Sequence, residues 1–336
     1  MVAKALTDRL TDRVDWVLDK SVVLGYTRLG PALRRRWWPA DPDAGSMEGK
    51  RVILTGGGSG IGRAAARQLG SLGATVHLLG ADVPQLDQAR AELAAEVPAG
   101  RFETEVCDLA DLPQVAEWAR EFASRGLALH ALVNNAGTMS PTRKETAQGH
   151  ELTLATHVLG PHLMTRDLVE PLAADGDGRV VWVTSGGMYA SKLRTDDLEF
   201  TRTKYSGEAA YARTKRMQMV LAELWADELA DRGVSVHSMH PGWVDTPGVR
   251  HFLTASRNLT VPFIRSADQG ADTITWLVAS PQPASATGLF WHDRRPRPTT
   301  YFRQSREDED QRRLLWTYCQ SAVEKGTGGV ASEAGP

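Results

Sequence analysis

The chain has 336 residues, 39 basic and 41 acidic side chains and a formal charge of −2, with 42% hydrophobic and 24% charged residues. This globular composition suffices for one large domain or two small ones, and its balanced charge argues against a nucleic-acid binder. Two cysteines, Cys107 and Cys319, cannot build a disulfide framework or a four-thiolate zinc site, and no uncharged run approaches the ~20 residues that span a bilayer.

Residues 1–48 read as a helical N-terminal extension ending in Pro39, Pro42 and Gly45. Leu6, Leu10, Val14 and Val17 recur at helical spacing, while Asp8, Asp12, Asp15 and Asp19 alternate with Arg9, Arg13 and Lys20. These charges exclude a secretory signal, so a cytoplasmic protein is expected. Arg34, Arg35 and Arg36 then abut Trp37 and Trp38. Such a cluster suits peripheral membrane contact; packing on the chain's own domain or on a partner subunit is the other reading.

Residues 49–291 alternate short apolar runs with amphipathic stretches. Strands are predicted at Arg51–Thr55, Thr75–Leu79, Phe102–Val106, Ala131–Asn134, Arg179–Thr184, Val234–His240 and Gly288–Trp291. Helices are predicted at Gly62–Leu72, Pro84–Val97, Asp111–Ala123, Glu145–Glu170 and Glu208–Asp231. The alternation implies βαβ units and an α/β fold: a single domain with a doubly wound, parallel, seven-stranded sheet whose ligands sit beyond the carboxyl ends of the strands. Residues 292–336 form a C-terminal extension that opens on Arg294, Arg295 and Arg297 and ends in a Gly/Ala/Ser tail predicted to be disordered.

Thr55-Gly56-Gly57-Gly58-Ser59-Gly60-Ile61-Gly62 follows the first strand and opens a helix. Glycines here let the backbone turn tightly and approach a pyrophosphate resting on the helix N-terminus. The position favours a dinucleotide site over a plain tight turn, and the lack of Gly-Lys-Ser/Thr argues against a triphosphate loop.

This turn resembles the cofactor signature of the short-chain dehydrogenase/reductase family. Cys107-Asp108-Leu109, Asn134-Asn135-Ala136-Gly137 and Pro241-Gly242-Trp243-Val244-Asp245-Thr246 resemble its further motifs in the right order, so the likeness covers residues 50–291. Val183-Thr184-Ser185-Gly186-Gly187-Met188, Gln269-Gly270-Ala271-Asp272-Thr273 and Asp293-Arg294-Arg295-Pro296 are similar to the retinol-dehydrogenase-like branch. The resemblance implies a Rossmann fold binding a nicotinamide cofactor through Gly56, Gly58, Ser59, Gly60, Ile61, Gly62, Asp108, Leu109, Asn135, Ala136, Gly137, Pro241, Gly242, Val244 and Thr246. Asp108 would contact the adenine and Thr246 the nicotinamide amide.

Tyr211 and Lys215, four residues apart, share a helical face. The resemblance makes them the catalytic pair, with Lys215 also on the nicotinamide ribose. A nearby cation lowers the pKa of a phenol, so Tyr211 would exchange a proton with an alcohol or carbonyl while Ser185 polarises the substrate oxygen. The family usually has Asn where this chain has His157. The family's Asn acts through its main-chain carbonyl, which holds a water in a proton relay to the lysine. His157 would keep that carbonyl and add an imidazole titrating near neutrality; a weakened site or a core histidine is the alternative.

Asp82, just after the second strand, would accept the adenosine ribose hydroxyls, and Ala81 and Ser59 stand where NADP-preferring relatives often carry basic residues, so NAD is favoured over NADP, with Arg63 nearby as a complication. His237 and His240 point to opposite faces of one strand, and no metal is expected. Met188, Tyr189 and Phe200, with the apolar residues from Trp243 to Ile264, suit a pocket for a lipophilic alcohol or carbonyl, core packing being the other reading. The resemblance also implies a homodimer paired through the helices of His157 and Tyr211, a contact the terminal extensions would alter or block. A non-catalytic NAD(P)-binding or membrane-associated interaction protein is the alternative to an enzyme.

Overall fold

The computed structural model describes residues 2–244, 264–301 and 306–328. Three helices come first: α1 (Val2–Lys20), α2 (Val22–Tyr26) and α3 (Leu29–Arg34). The sheet domain then runs β1 (Arg51–Thr55), α4 (Gly60–Ser71), β2 (Thr75–Gly80), α5 (Val83–Glu96), β3 (Arg101–Val106), α6 (Leu112–Ser124) and β4 (Ala131–Asn134). Its second half contains α7 (Leu152–Leu154), a π-turn (Ala155–Leu159), α8 (Gly160–Asp167), α9 (Val169–Ala173), β5 (Gly178–Val183), α10 (Gly207–Glu228) and β6 (Val234–Met239). It closes with α11 (Ala267–Ala279), α12 (Pro281–Ala284), β7 (Phe290–His292), β8 (Arg295–Arg297) and α13 (Glu309–Gly326).

The sheet order is β3-β2-β1-β4-β5-β6-β7-β8. β1 pairs in parallel with both β2 and β4, so the strand order reverses beside β1, where an open α/β sheet forms its ligand crevice. Val52, Ile53 and Leu54 are all fully buried, as a parallel strand covered on both faces requires. One core contains Leu69 of α4, Leu86 of α5 and Ile274 of α11. The other contains Phe122 of α6, Leu163 of α8 and Trp225 of α10.

Among the described residues the sheet has eight strands, one more than the seven expected. β8 returns antiparallel along β7 through a two-residue turn, Asp293-Arg294, in which both residues are left-handed (φ 51° and 56°). Such turns usually carry Asn or Gly. Here long-range ion pairs hold the backbone: Asp293 with Arg34 and Arg265, Arg294 with Asp272. The helix expected from Glu145 begins only at Leu152, where the Glu151 carboxylate accepts the Leu154 N–H at 2.8 Å as N-cap.

Both extensions pack on the domain. On α1, Val14 and Val17 face solvent, whereas Asp15 and Asp19 point inward. Asp15 accepts from Arg34 (2.8 Å), Arg295 (3.0 Å) and Arg297 (2.6 and 3.0 Å). The inner face of this helix is thus acidic because the surface beneath it is basic, and Arg34 is buried there in ion pairs. α13 buries Leu315, Cys319, Ala322 and Val323, while Trp316 meets Trp225 and His162 edge-on. It therefore lies over α8 and α10, the helices through which pairing was expected. Among the described residues no helix is long and apolar enough to cross a membrane.

Candidate active site

The glycine turn joins β1 to α4 beyond the carboxyl edge of the sheet. Gly56 has φ +66°, and a Cβ on Gly62 would stand 2.2 Å from the Gly56 carbonyl oxygen, so that position admits no side chain. Ser59 caps α4 without a side-chain hydrogen bond, which leaves the first-turn N–H donors available to an anion. The Thr55 hydroxyl accepts from the backbone N–H groups of Asn135 and Ala136 (both 2.9 Å), and the Asn135 amide donates to the Thr55 carbonyl (2.9 Å). The ends of β1 and β4 are locked together in this way, bringing Asn135-Ala136-Gly137 beside the turn. Shape and donors both fit a dinucleotide.

Ser185, Tyr211 and Lys215 converge at the end of β5. Ser185 caps a short 3₁₀ turn and accepts the Gly187 N–H at 3.2 Å. α10, capped by Ser206, presents Tyr211 and Lys215 along one face. Lys215 is buried, donating to the Val183 carbonyl (2.9 Å) and to Gln218 Oε1 (2.9 Å). Its Nζ stands 5.4 Å from the centroid of the Tyr211 ring.

The electrostatics depart from the expected pattern. Burial raises the pKa of the Tyr211 phenol, which the Ser185 hydrogen bond only partly offsets, and the expected depression by the ammonium is absent. Burial also drives Lys215 down to about 7. Desolvation wins because no carboxylate among the described residues shares the ammonium's hydrogen bonds. At neutral pH Tyr211 is therefore a protonated acid beside a lysine that titrates nearby.

His157 lies on the π-turn with its ring fully buried, edge-on to Tyr211. Nε2 accepts the Thr138 N–H (2.8 Å), so Nδ1 carries the hydrogen and donates to the Thr214 hydroxyl (2.8 Å). Burial and the Lys215 charge hold its pKa well below the usual imidazole range. This corrects the expectation of an imidazole titrating near neutrality: the ring is a neutral clamp between the β4 loop and α10. A Cβ on Gly137 would stand 3.1 Å from Nε2, so that glycine makes room for the histidine. The His157 carbonyl accepts from Gln218 Nε2 at 2.8 Å.

The Pro241-Gly242 turn is held from below by the N-terminal extension, a contact invisible in the sequence. The Tyr26 carbonyl accepts from the Trp243 N–H (2.8 Å) and from Arg265 Nε (3.0 Å). Arg265 also donates to the carbonyls of Gly25 (2.6 Å) and Pro241 (3.2 Å), and Asp293 neutralises it. The Tyr26 ring fills the space above Gly186, where a Cβ would lie 2.5 Å from it. Val244 pairs with Arg265 in a parallel bridge, and a Cβ on Gly270 would stand 2.6 Å from the Val244 side chain. Thr246 and the expected pocket residues Val249, Phe252, Leu253, Val261, Pro262 and Phe263 lie outside the described residues.

Other candidates sit less centrally. The Asp82 carboxylate caps α5 by accepting the Gln85 N–H (3.1 Å), and Arg63 is drawn to Glu92 (3.0 Å) and Glu96 on α5. Asp108 accepts the Ala110 N–H (2.9 Å), while the Leu109 side chain belongs to the core. Met188 and Phe200 are buried, and the Tyr189 hydroxyl donates to the Pro298 carbonyl (2.7 Å). Met188 and Phe200 thus pack in the interior, the core reading, while Tyr189 is half-buried against it. His77, Glu103 and Glu105 cluster on β2 and β3, where Glu105 already accepts from Arg125 (2.7 Å) and Trp118 (3.0 Å).

A family model described as short chain dehydrogenase matches residues 50–256. The chain belongs to the short-chain dehydrogenase/reductase family. Membership brings general oxidoreductase chemistry on an NAD(P)-binding Rossmann fold. This short-chain dehydrogenase is 39% identical over 251 residues to Dehydrogenase/reductase SDR family member 12 of Homo sapiens, covering 74% of this chain and 78% of that protein. It is 36% identical over 280 residues to Polyprenol dehydrogenase of Mus musculus, covering 79% and 82%. Among solved structures, a putative uncharacterized protein from Mycobacterium Paratuberculosis superposes with a TM-score of 0.67 at 25% identity, covering 86% of this chain and 97% of that one.

Proposed function

We propose that this short-chain dehydrogenase transfers hydride between a nicotinamide cofactor and a lipophilic alcohol or carbonyl, with Tyr211 as the general acid/base. The observation that carries this reading is the meeting of Ser185, Tyr211 and Lys215 at the end of β5, beside a glycine turn that fits a dinucleotide. The cofactor would supply or accept the hydride. Gly56–Gly62 would hold its pyrophosphate, Asn135–Gly137 and Pro241–Val244 would flank its nicotinamide half, and Lys215 has a third N–H for a ribose hydroxyl. Ser185 donates a hydrogen bond to the substrate oxygen, and Tyr211 gives or takes the proton there. Burial raises the Tyr211 pKa, so the phenol carries the proton it would donate to a carbonyl oxygen. NAD is favoured over NADP: Asp82 follows β2, and Arg63 is engaged by Glu92 and Glu96.

A lipophilic substrate is supported by the names of relatives: Polyprenol dehydrogenase, Retinol dehydrogenase 12 and a putative daunorubicin C-13 ketoreductase. Trp243, exposed beside the Pro241-Gly242 turn, offers apolar surface where such a molecule would arrive. The test is nicotinamide fluorescence during a screen of aliphatic, retinoid and steroid alcohols and ketones. Tyr211→Phe is expected to abolish turnover while leaving cofactor binding intact. Wild-type rates in that variant, or turnover confined to small polar sugars and acids, would overturn the reading.

A further inference from the structure

Gln218 has a place in the site that neither the motifs nor the family assignment specifies. It sits one turn beyond Lys215 on α10, is fully buried, and has both ends of its carboxamide engaged. Nε2 donates to the His157 carbonyl at 2.8 Å, and Oε1 accepts from Lys215 Nζ at 2.9 Å. This arrangement fixes the amide's orientation, because a flip would set its NH₂ against an ammonium and its oxygen against a carbonyl. The second acceptor on Lys215 is the Val183 carbonyl at the end of β5. The ammonium is therefore held from two sides, by β5 and by the π-turn reached through Gln218.

We propose that Gln218 is a positioning residue for Lys215, fixing its ammonium beneath Tyr211 by bridging it to the His157 carbonyl, and thereby completing the catalytic arrangement. This rests on the proposed roles of Tyr211 and Lys215. A carboxamide carries no titrating proton, so this bridge orients charge and does not conduct protons along the His157 carbonyl. The clamped imidazole gives the π-turn the rigidity that such an anchor needs: with Thr138 on one nitrogen and Thr214 on the other, the backbone carbonyl at 157 is held in place. The titrating groups around Lys215 are Tyr211 on its own helix and His157 on the π-turn. Gln218 is therefore a neutral acceptor whose charge can be changed without altering its shape.

Two variants of similar size test the assignment. In Gln218→Glu a carboxylate replaces the amide acceptor; in Gln218→Leu the acceptor is lost. Protein labelled with carbon-13 at lysine Cε reports the titration of Lys215 by NMR without substrate, its resonance assigned by disappearance in Lys215→Met. The midpoint is expected to rise by about one to three pH units in Gln218→Glu and to fall in Gln218→Leu. The alkaline limb of kcat should follow in the same directions, with kcat of Gln218→Leu reduced about ten- to a hundredfold. A residue that served packing alone would lower Tm in both variants and leave the midpoint where it was, and that result overturns the proposal. If the midpoints move as stated but the wild-type protein reduces no carbonyl, the proposed function fails while the Lys215–Gln218 link stands.

Discussion

Asp293→Asn isolates the contribution of one buried charge to both stability and the site. Asp293 accepts from Arg34 Nη1 at 2.6 Å and from Arg265 Nη1 and Nη2 at 2.6 and 2.9 Å, and all three side chains are almost completely buried. Asparagine tolerates the left-handed backbone at this turn, so the substitution removes charge with little conformational penalty. Arg34 would still pair with Asp15 at 2.8 Å, whereas Arg265 would keep only neutral acceptors. Breaking a buried pair costs about 3–5 kcal/mol; one residual ion pair and a retained amide oxygen place this case near about 3 kcal/mol. With a urea m-value of about 3 kcal/mol/M or somewhat more for a chain of this size, the unfolding midpoint should fall by about 0.6–1 M. Because Arg265 holds the Tyr26 carbonyl under the Pro241–Trp243 turn, cofactor affinity measured by fluorescence titration should weaken in the same variant. A midpoint within about 0.2 M of wild type, a change of only a few tenths of a kcal/mol, would refute the view that this cluster fastens the N-terminal extension to the domain.

Three further outcomes are expected. Gly62→Ala places a methyl group 2.2 Å from the Gly56 carbonyl oxygen, so calorimetric cofactor affinity should fall at least about tenfold. Carbonyl reduction should decline as pH rises through about 7, where Lys215 gives up its ammonium proton, while alcohol oxidation, which needs an ionised Tyr211 whose pKa burial raises, should stay low near neutrality and still be climbing at pH 10; stopped-flow rates in both directions across pH 5–10 check this. Truncation before residue 306 removes α13 and uncovers Trp225 and His162, so sedimentation should show more self-association than for the full chain.

The sequence was most readable where physics is local. β1 and β4 have the predicted limits, because each is a short apolar run whose neighbours announce a turn. The glycine turn was equally legible, since only glycine satisfies its backbone and its contacts. β8 is not announced locally: its turn has neither glycine nor asparagine, and its geometry is imposed by partners outside the hairpin, from Arg265, 28 residues away, to Arg34, 259 residues away. Of the Arg34–Arg36 cluster, Arg34 turns inward to pair with Asp15 and Asp293, partners that its sequence neighbours do not reveal. α13 lies in the C-terminal extension, where Leu315, Cys319 and Ala322 keep a helical period beyond the charged stretch. Gln218 could have been suspected from its spacing of three after Lys215, but its other partner is a backbone carbonyl, which sequence does not display.

The fastening of the first helices by Asp293, Arg295 and Arg297 has a consequence for biosynthesis. Chains fold from the N-terminus as they emerge, yet α1 and α3 carry buried charges whose counter-ions are translated more than 250 residues later. Until the ribosome reaches β8, Asp15 and Arg34 have only each other, and the floor under the Pro241–Trp243 turn is not fixed. A nascent or prematurely terminated polypeptide would therefore hold its glycine turn long before the floor of the Pro241–Trp243 turn is fixed, which waits for about the last eighth of the chain.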